Sequence, residues 1–144
     1  MKKLKPTPKA IKENHSRKGR TSRNKGSSFE RTIAKVFEKV LGIELVRTPQ
    51  SGGFAKNKTS AEKFRGDIVP ADSTKDLVLH IECKNAKTWS LPKWIAQAES
   101  DCPNGKIPVV IFHKHNTSKD YIALNLQDFL SLVGQAAIVA KKGK

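Results

Sequence analysis

The chain has 144 residues, of which 28 are Lys or Arg and 13 are Asp or Glu, so its formal net charge is +15. A domain of this length buries roughly two thirds of its unfolded surface, which supports a single hydrophobic core. The chain is too short for a second globular domain. The apolar runs are too short to span a membrane, the N-terminus lacks the apolar segment of a secretory signal, and two cysteines exclude a disulfide scaffold. These features predict an intracellular protein with a polyanionic partner, most simply nucleic acid.

Much of the positive charge lies at the N-terminus. Residues 1–26 contain ten Lys or Arg, one acid and few apolar side chains, so we expect a disordered basic arm. Residues 141–144 form a basic tail, and residues 27–140 have an ordinary globular composition. Because Lys and Arg release condensed counterions when they neutralise phosphates, the arm is interpreted as a phosphate-binding segment without sequence preference. A solubilising tail is the alternative.

The globular segment predicts a mixed α/β unit. Ser27 and Ser28 can cap a helix whose apolar residues recur at helical spacing until Gly42. The remaining predicted elements are a strand over 43–47, an irregular stretch over 48–65, a strand near 66–69, a turn around 71–75, a strand over 77–84, a helix over 90–100, strands over 107–112 and 121–124, and a helix over 126–133. This order describes one sheet flanked by helices.

Two predicted strands carry the residues that indicate chemistry. Glu82 and Lys84 project from one face of their strand, and a hairpin would place Asp67 beside Glu82 on that face. Two converging carboxylates supply the oxygen ligands that Mg²⁺ prefers, and the main-chain carbonyl of Cys83 could add another. The Lys84 amine beside them could orient or deprotonate an attacking water, or stabilise charge on the phosphate.

Two further polar residues are candidates for the same site. Glu30 lies on the inward flank of the first helix, where a carboxylate is rare unless it is paired or bound to metal. With the other motifs present it becomes a candidate for a second metal or its water shell; alone it would be a solvated edge residue. Gln97, in the second helix, could contact a phosphate or a metal-bound water, although a surface glutamine is the commoner explanation.

Other residues have simpler explanations. Asp72 competes with Asp67 as the acid nearer to Glu82, but it falls in a predicted turn. His113 and His115 do not make a zinc site, since a full ligand set is missing. Trp89 and Trp94 could stack on a splayed base, although packing between helix and sheet is the better explanation.

These motifs together resemble the PD-(D/E)XK nuclease superfamily, whose core places a helical Glu, then Asp, then Glu-x-Lys, and often a helical Gln. Within it the sequence is most similar to Holliday junction resolvases of the archaeal and phage type. Residues 25–31 (KGSSFER) resemble their opening motif, and residues 47–53 (RTPQSGG) resemble the segment after their first strand. The resemblance covers about residues 25–100. Gly66 departs from it, since the superfamily name expects Pro there.

The resemblance implies a restriction-endonuclease-like fold in a single domain with Glu30, Asp67, Glu82 and Lys84 as catalytic residues. It implies Mg²⁺, or Mn²⁺ in its place, as cofactor, and hydrolysis that leaves 5′-phosphate and 3′-hydroxyl ends. The expected substrate is a four-way junction or other branched DNA, and a twofold homodimer would nick opposing strands. A phage-encoded chain would work in the host cytoplasm. Expected DNA contacts are Lys25, Arg31, Arg47, Ser51, Lys56, Lys58, Lys63, Arg65 and Gln97.

Two other functions stay open from the sequence. An endonuclease of the same superfamily with another target (restriction-like, flap, mismatch or nicking) would keep the same catalytic residues. A basic DNA-binding protein with an inactive nuclease fold is the alternative from a different class. The complete acid–acid–lysine set speaks against it.

Overall fold

The computed structural model describes the backbone of residues 8–48, 66–114 and 116–142, and the side chains of 24–48, 66–114 and 116–136. Over these residues the chain forms three helices and five strands. In chain order they are α1 (Pro8–Leu41), β1 (Leu45–Arg47), β2 (Ile68–Pro70), β3 (Leu79–Lys84), α2 (Leu91–Asp101), β4 (Ile107–His113), β5 (Asp120–Ala123) and α3 (Leu126–Lys142).

The strands form one mixed sheet in the order β1-β2-β3-β4-β5. β2 pairs antiparallel with both β1 and β3, and β4 pairs antiparallel with β5. β3 and β4 are parallel, with Glu82 beside Val110 and Lys84 beside Phe112. A parallel pair needs a crossover connection, and α2 supplies it. The carboxyl ends of β3 and β4 therefore lie at the same edge of the sheet.

The two faces of the sheet are covered by different helices. On one face Phe29 and Ile33 of α1 pack against Ile81 and Ile111, which alternate with the residues of the opposite face. On that opposite face α2 packs through Ala98 against the buried side chains of β4. Glu82 and Lys84 belong to the α2 face, since they alternate with Ile81 along β3. The architecture is the predicted α/β, restriction-endonuclease-like sheet flanked by helices.

The predicted order of elements is confirmed, with differences at their ends. Gly42 follows α1 with a φ of +66°, as expected for a glycine that ends a helix. α1 begins at Pro8, whereas the sequence predicts a helix from Ser27 and a disordered arm over 1–26. Residues 9–25 consist mostly of tolerable helix formers, so a helix anchored by Phe29 and Ile33 can extend through them. α3 likewise continues past the predicted end at residue 133 to Lys142, into the predicted tail.

Of the irregular stretch predicted over 48–65, residues 49–65 lie outside the described part of the chain. Among the helices of the described residues, none is long and apolar enough to cross a membrane.

Candidate active site

Asp67 occupies the turn that leads into β2. Its main-chain N–H donates to the carbonyl of Ile81 at 2.8 Å, which attaches the turn to β3. Its side chain is 5% exposed, and Oδ2 accepts a 2.7 Å hydrogen bond from the N–H of Cys83. The hairpin of β2 and β3 thus brings Asp67 to the strand that carries Glu82 and Lys84, as the sequence predicts.

Gly66 explains why the turn has this shape. Its φ is +97°, a conformation that proline cannot adopt and that other residues rarely adopt. A Cβ at this position would lie 3.1 Å from the carbonyl oxygen of Ile81 and 3.2 Å from Nδ1 of His80. The chain therefore has a turn that favours glycine where the superfamily name expects Pro. This turn still places Asp67 beside β3.

Glu82 and Lys84 form the second part of the site. Nζ of Lys84 lies 2.7 Å from Oε1 of Glu82 and donates to Oε1 of Gln97 at 3.1 Å. The Glu82 and Lys84 side chains are 10% and 20% exposed, so the amine reaches solvent from a partly buried position. The structure thus brings Gln97 to the site although it is a solvent-facing residue of α2, which the sequence alone left open.

The electrostatics of the site centre on Asp67. Burial, together with the neighbouring Glu82 and Glu30 carboxylates, raises the pKa of Asp67 from 3.8 to about 7, against the opposing effects of the Cys83 N–H and Lys84. The same surroundings raise the pKa of the Cys83 thiol, so it stays protonated. Among the residues that the structure describes, no Lys or Arg forms an ion pair with Asp67. A cation bound beside this buried carboxyl group would stabilise its charged form.

Glu30 lies near this carboxylate pair, on α1. It forms an ion pair with Nε of Arg47 in β1, and its side chain is 12% exposed. Glu30 is therefore paired and mostly buried, and it is not the solvated edge residue that the sequence offered as the alternative. Arg47, predicted as a DNA contact, pairs with a candidate catalytic carboxylate instead, while its own side chain keeps 29% exposure.

The Cys83 carbonyl points to the side of β3 on which Asp67 lies. Within a strand the N–H and C=O of one residue point to the same side, and the Cys83 N–H points to Asp67. Within the described ranges no group of three or more His, Cys, Asp or Glu side chains is arranged as ligands for one metal. Mg²⁺ needs no such group, because it binds through one or two carboxylates and keeps several waters. The Asp67 and Glu82 oxygens therefore fit a hard divalent cation.

Of the other predicted DNA contacts, the structure describes two. Lys25 and Arg31 are exposed on α1. The remaining predicted contacts lie in residues 49–65, outside the described part of the chain: Ser51, Lys56, Lys58, Lys63 and Arg65.

Thr48 is a positioning residue that the sequence analysis missed. Its side chain is 3% exposed, its N–H donates to the carbonyl of Asp67 at 3.0 Å, and its hydroxyl donates to the carbonyl of Gly66 at 2.6 Å. Both bonds hold the turn that presents Asp67. A polar residue directly after a short strand is the available signal, but its partners lie 18 and 19 positions away and cannot be identified from spacing.

Of the candidates rejected from the sequence, the structure describes Asp72 and His113. Asp72 is exposed in a turn, where its carboxylate accepts hydrogen bonds from Thr74 that lower its pKa. His113 lies next to Asp120, with 2.7 Å between Nδ1 and Oδ1, and His115 is outside the described residues.

A mixed sheet with Asp67 in the turn before β2, Glu82 and Lys84 on β3 and Glu30 on the packed helix has the arrangement that the sequence predicts for a nuclease core of the PD-(D/E)XK type. The chain belongs to the family described as phage putative PDDEXK endonuclease, which matches residues 21–141. Comparison with curated proteins gives no match, and neither does comparison with solved structures.

Proposed function

We propose that the protein is a divalent-metal-dependent DNA endonuclease that cuts branched DNA, with the Holliday junction as its substrate. The observation that carries the metal-dependent nuclease proposal is the buried Asp67 carboxylate, whose pKa is raised beside Glu82 and which has no Lys or Arg partner among the described residues. A carboxylate pair with an amine alongside is the chemistry that phosphodiester hydrolysis needs. The family membership supports the endonuclease class.

Mg²⁺ is the cofactor we propose, and Mn²⁺ would substitute for it. Asp67, Glu82 and the carbonyl of Cys83 would hold the ion. Bound there, it would supply positive charge to phosphate oxygens and make water a better nucleophile at neutral pH. Binding would also return Asp67 to its charged form, since a nearby cation favours the carboxylate.

Lys84 is the residue that we place next to the attacking water or the scissile phosphate. Its amine is held between Glu82 and Gln97, at 2.7 Å and 3.1 Å. In that position it can orient the water, take its proton or donate to a phosphate oxygen. Gln97 acts here by holding the amine in place.

Glu30 and Arg47 give the site a second charged pair. We propose that Glu30 serves a second metal or the water shell of the first, since its charge already acts on Asp67. Release of Glu30 would free the Arg47 guanidinium for a phosphate, to which it can donate in a bidentate manner. This reconciles the predicted DNA contact with the Glu30–Arg47 ion pair.

The preference for junctions and the homodimer rest on the resemblance of residues 25–31 and 47–53 to resolvases. A twofold dimer would match the symmetry of a four-way junction and cut opposing strands. Exposed apolar side chains of α3 offer a surface for the second copy: Leu126, Phe129, Leu130 and Val133.

The test compares cleavage of four-way, flap, nicked and linear duplex DNA with mapped products, in Mg²⁺ and in EDTA. We expect symmetric cuts confined to the four-way substrate, with 5′-phosphate ends, and no cleavage in EDTA. Cleavage of another substrate in its place would assign the chain to a different endonuclease activity. DNA binding without cleavage in either Mg²⁺ or Mn²⁺ would identify a binding protein.

A further inference from the structure

An aromatic cluster lies on the α2 face of the sheet, outside the carboxylate site. The Phe112 ring is its buried centre, stacked on Tyr121 with 5.7 Å between centroids and edge-on to Trp89 at 5.0 Å. Trp89 and Tyr121 are also within 6.2 Å of each other, measured between ring centroids. Both stay open to solvent, with 44% and 39% of their surface exposed. One buried ring therefore contacts two exposed rings.

The strand register places this cluster beside the candidate active site. Lys84 of β3 pairs with Phe112 of β4, and Phe112 pairs with Tyr121 of β5. Residues paired in this way have side chains on the same face of a sheet. The row Lys84, Phe112, Tyr121 therefore leads from the amine of the site to the exposed rings. Trp89 lies in the segment that joins Lys84 to α2.

The two tryptophans both contact Phe112, with ring centroids 5.0 Å away for Trp89 and 6.0 Å away for Trp94, but they differ in exposure. Trp94 is half-buried and packs with the buried side chains of α2 and β4, which is the role that the sequence favoured for both. Trp89 is exposed and belongs to neither packed cluster of the core. Packing of helix on sheet accounts for Trp94. Trp89 also contacts Phe112, yet 44% of its surface stays exposed, and packing does not explain that exposed part.

The charge around Trp89 suits a nucleic acid strand. Lys87 lies two residues before it and Lys93 lies in the first turn of α2, and both are exposed. Aromatic rings that stack on bases, next to lysines that neutralise phosphates, are the common features of sites for single-stranded DNA. Every base has a flat π-face, so such a site needs no sequence preference.

We propose that Trp89 and Tyr121 form a stacking platform for an unpaired base of the DNA strand that enters the active site. The proposal rests on the proposed function, because it places the scissile phosphate near Lys84. It adds a preference within that substrate class: DNA in which a nucleotide close to the cut is unpaired, as at a bulge or at a branch point where a base pair has opened. Such a base does not have to break a base pair before it binds.

The first test measures binding without cleavage, in Ca²⁺, to a fluorescein-labelled duplex and to the same duplex with one bulged thymidine. We expect tighter binding of the bulged duplex by the wild-type protein and by W89F, which keeps an aromatic ring. W89L keeps apolar bulk but no ring, and should lose about 5- to 100-fold in affinity for the bulged duplex, with little change for the paired one. W94F is the matched control and should behave as the wild type.

A second test uses the fluorescence of the two tryptophans, with oligo(dT) as the probe. Saturating oligo(dT) should quench the emission of the wild type and of W94F, and the quenching should be lost in W89F. Equal binding of both duplexes by the wild type, an unchanged preference in W89L, or quenching that persists in W89F would each overturn the platform. If W89L is monomeric but still prefers the bulged duplex, the rings belong to a dimer interface, and the platform proposal is wrong. Cleavage is measured separately, so a protein that never cuts contradicts the proposed function and leaves these readouts valid.

Discussion

The main-chain N–H of Cys83 donates a 2.7 Å hydrogen bond to Oδ2 of Asp67. Since Asp67 also donates its own N–H to the carbonyl of Ile81 at 2.8 Å, one residue is attached to β3 through both its backbone and its side chain. The donor at Cys83 is backbone, so substitutions of the Cys83 side chain leave it in place. An asparagine at position 67 can still accept this bond through its amide oxygen. The charge of Asp67 can therefore be removed while the fold of the turn is kept.

Removal of either carboxylate charge should abolish cleavage. D67N and E82Q each take away a proposed metal ligand and reduce the repulsion of phosphate, so DNA affinity should stay the same or increase. Cleavage rates in Mg²⁺ and affinities in Ca²⁺ check this, with D72N as the control because Asp72 lies in an exposed turn. A wild-type rate in either variant would place the metal site elsewhere.

The stability of the metal-free protein should depend on pH through Asp67. Burial raises its pKa in the folded protein from 3.8 to about 7, so between these values the folded chain holds a proton that the unfolded chain has released. This contribution to stability is full below pH about 4 and is lost as the pH rises through about 7. Relative to D67N, the wild type should lose on the order of a few kcal/mol between pH 4.5 and 7.5. Urea unfolding at a series of pH values measures the difference, and parallel curves for the two proteins would contradict it.

Mg²⁺ should reverse this loss, since a cation bound beside Asp67 favours the charged carboxylate. The midpoint of thermal unfolding should rise with added Mg²⁺ at pH 7.5 and change less at pH 5, and D67N should respond at neither pH.

Lys84 should affect the rate of cleavage more than the binding of DNA. K84A removes the amine held between Glu82 and Gln97, and the rate should fall by about 10²-fold or more, as for one positioned acid–base group. K106A is the matched control, because it also removes a lysine from an ion pair, with the exposed Asp76. A near-normal single-turnover rate for K84A would remove Lys84 from the mechanism.

Gly66 should tolerate substitution less well than another glycine of similar backbone conformation. Gly66 and Gly105 both have positive φ, at +97° and +82°, but only a Cβ at Gly66 would meet neighbouring atoms within 4 Å. G105A should cost about 1–2 kcal/mol of stability from the left-handed conformation alone. G66A should cost more and should also slow cleavage, since it displaces the turn that presents Asp67. Urea unfolding and cleavage rates test both effects; equal losses in the two variants would show that the close contacts do not matter.

The elements of the fold could be predicted from the sequence because their signals are local. The apolar spacing of α1 and the alternation along β3 each depend on a few neighbouring residues. Asp67, Glu82 and Lys84 could be placed together because one hairpin joins them. The N-terminal part of α1 was missed because its charge and composition favoured disorder, while a packed segment further along the chain anchors the helix.

The remaining contacts of the site depend on long-range register. Arg47 reaches Glu30 only because β1 lies beside α1, and Thr48 reaches Asp67 only because β1 and β2 are paired. Neither of these contacts between elements produces a hydrophobic periodicity or a motif that could be recognised in the sequence.

The proposed homodimer should depend on Leu130. The strip of exposed apolar side chains that contains it has helical spacing on α3, and Asp128 is the one charged residue over positions 126–136. A surface without cations suits a second copy of the chain better than DNA phosphates. L130E would bring two carboxylates together across a twofold axis, so we expect a monomer by sedimentation velocity. V40E is the matched control on α1, where Val40 is 79% exposed, and it should stay dimeric. A monomeric V40E beside a dimeric L130E would move the interface to α1.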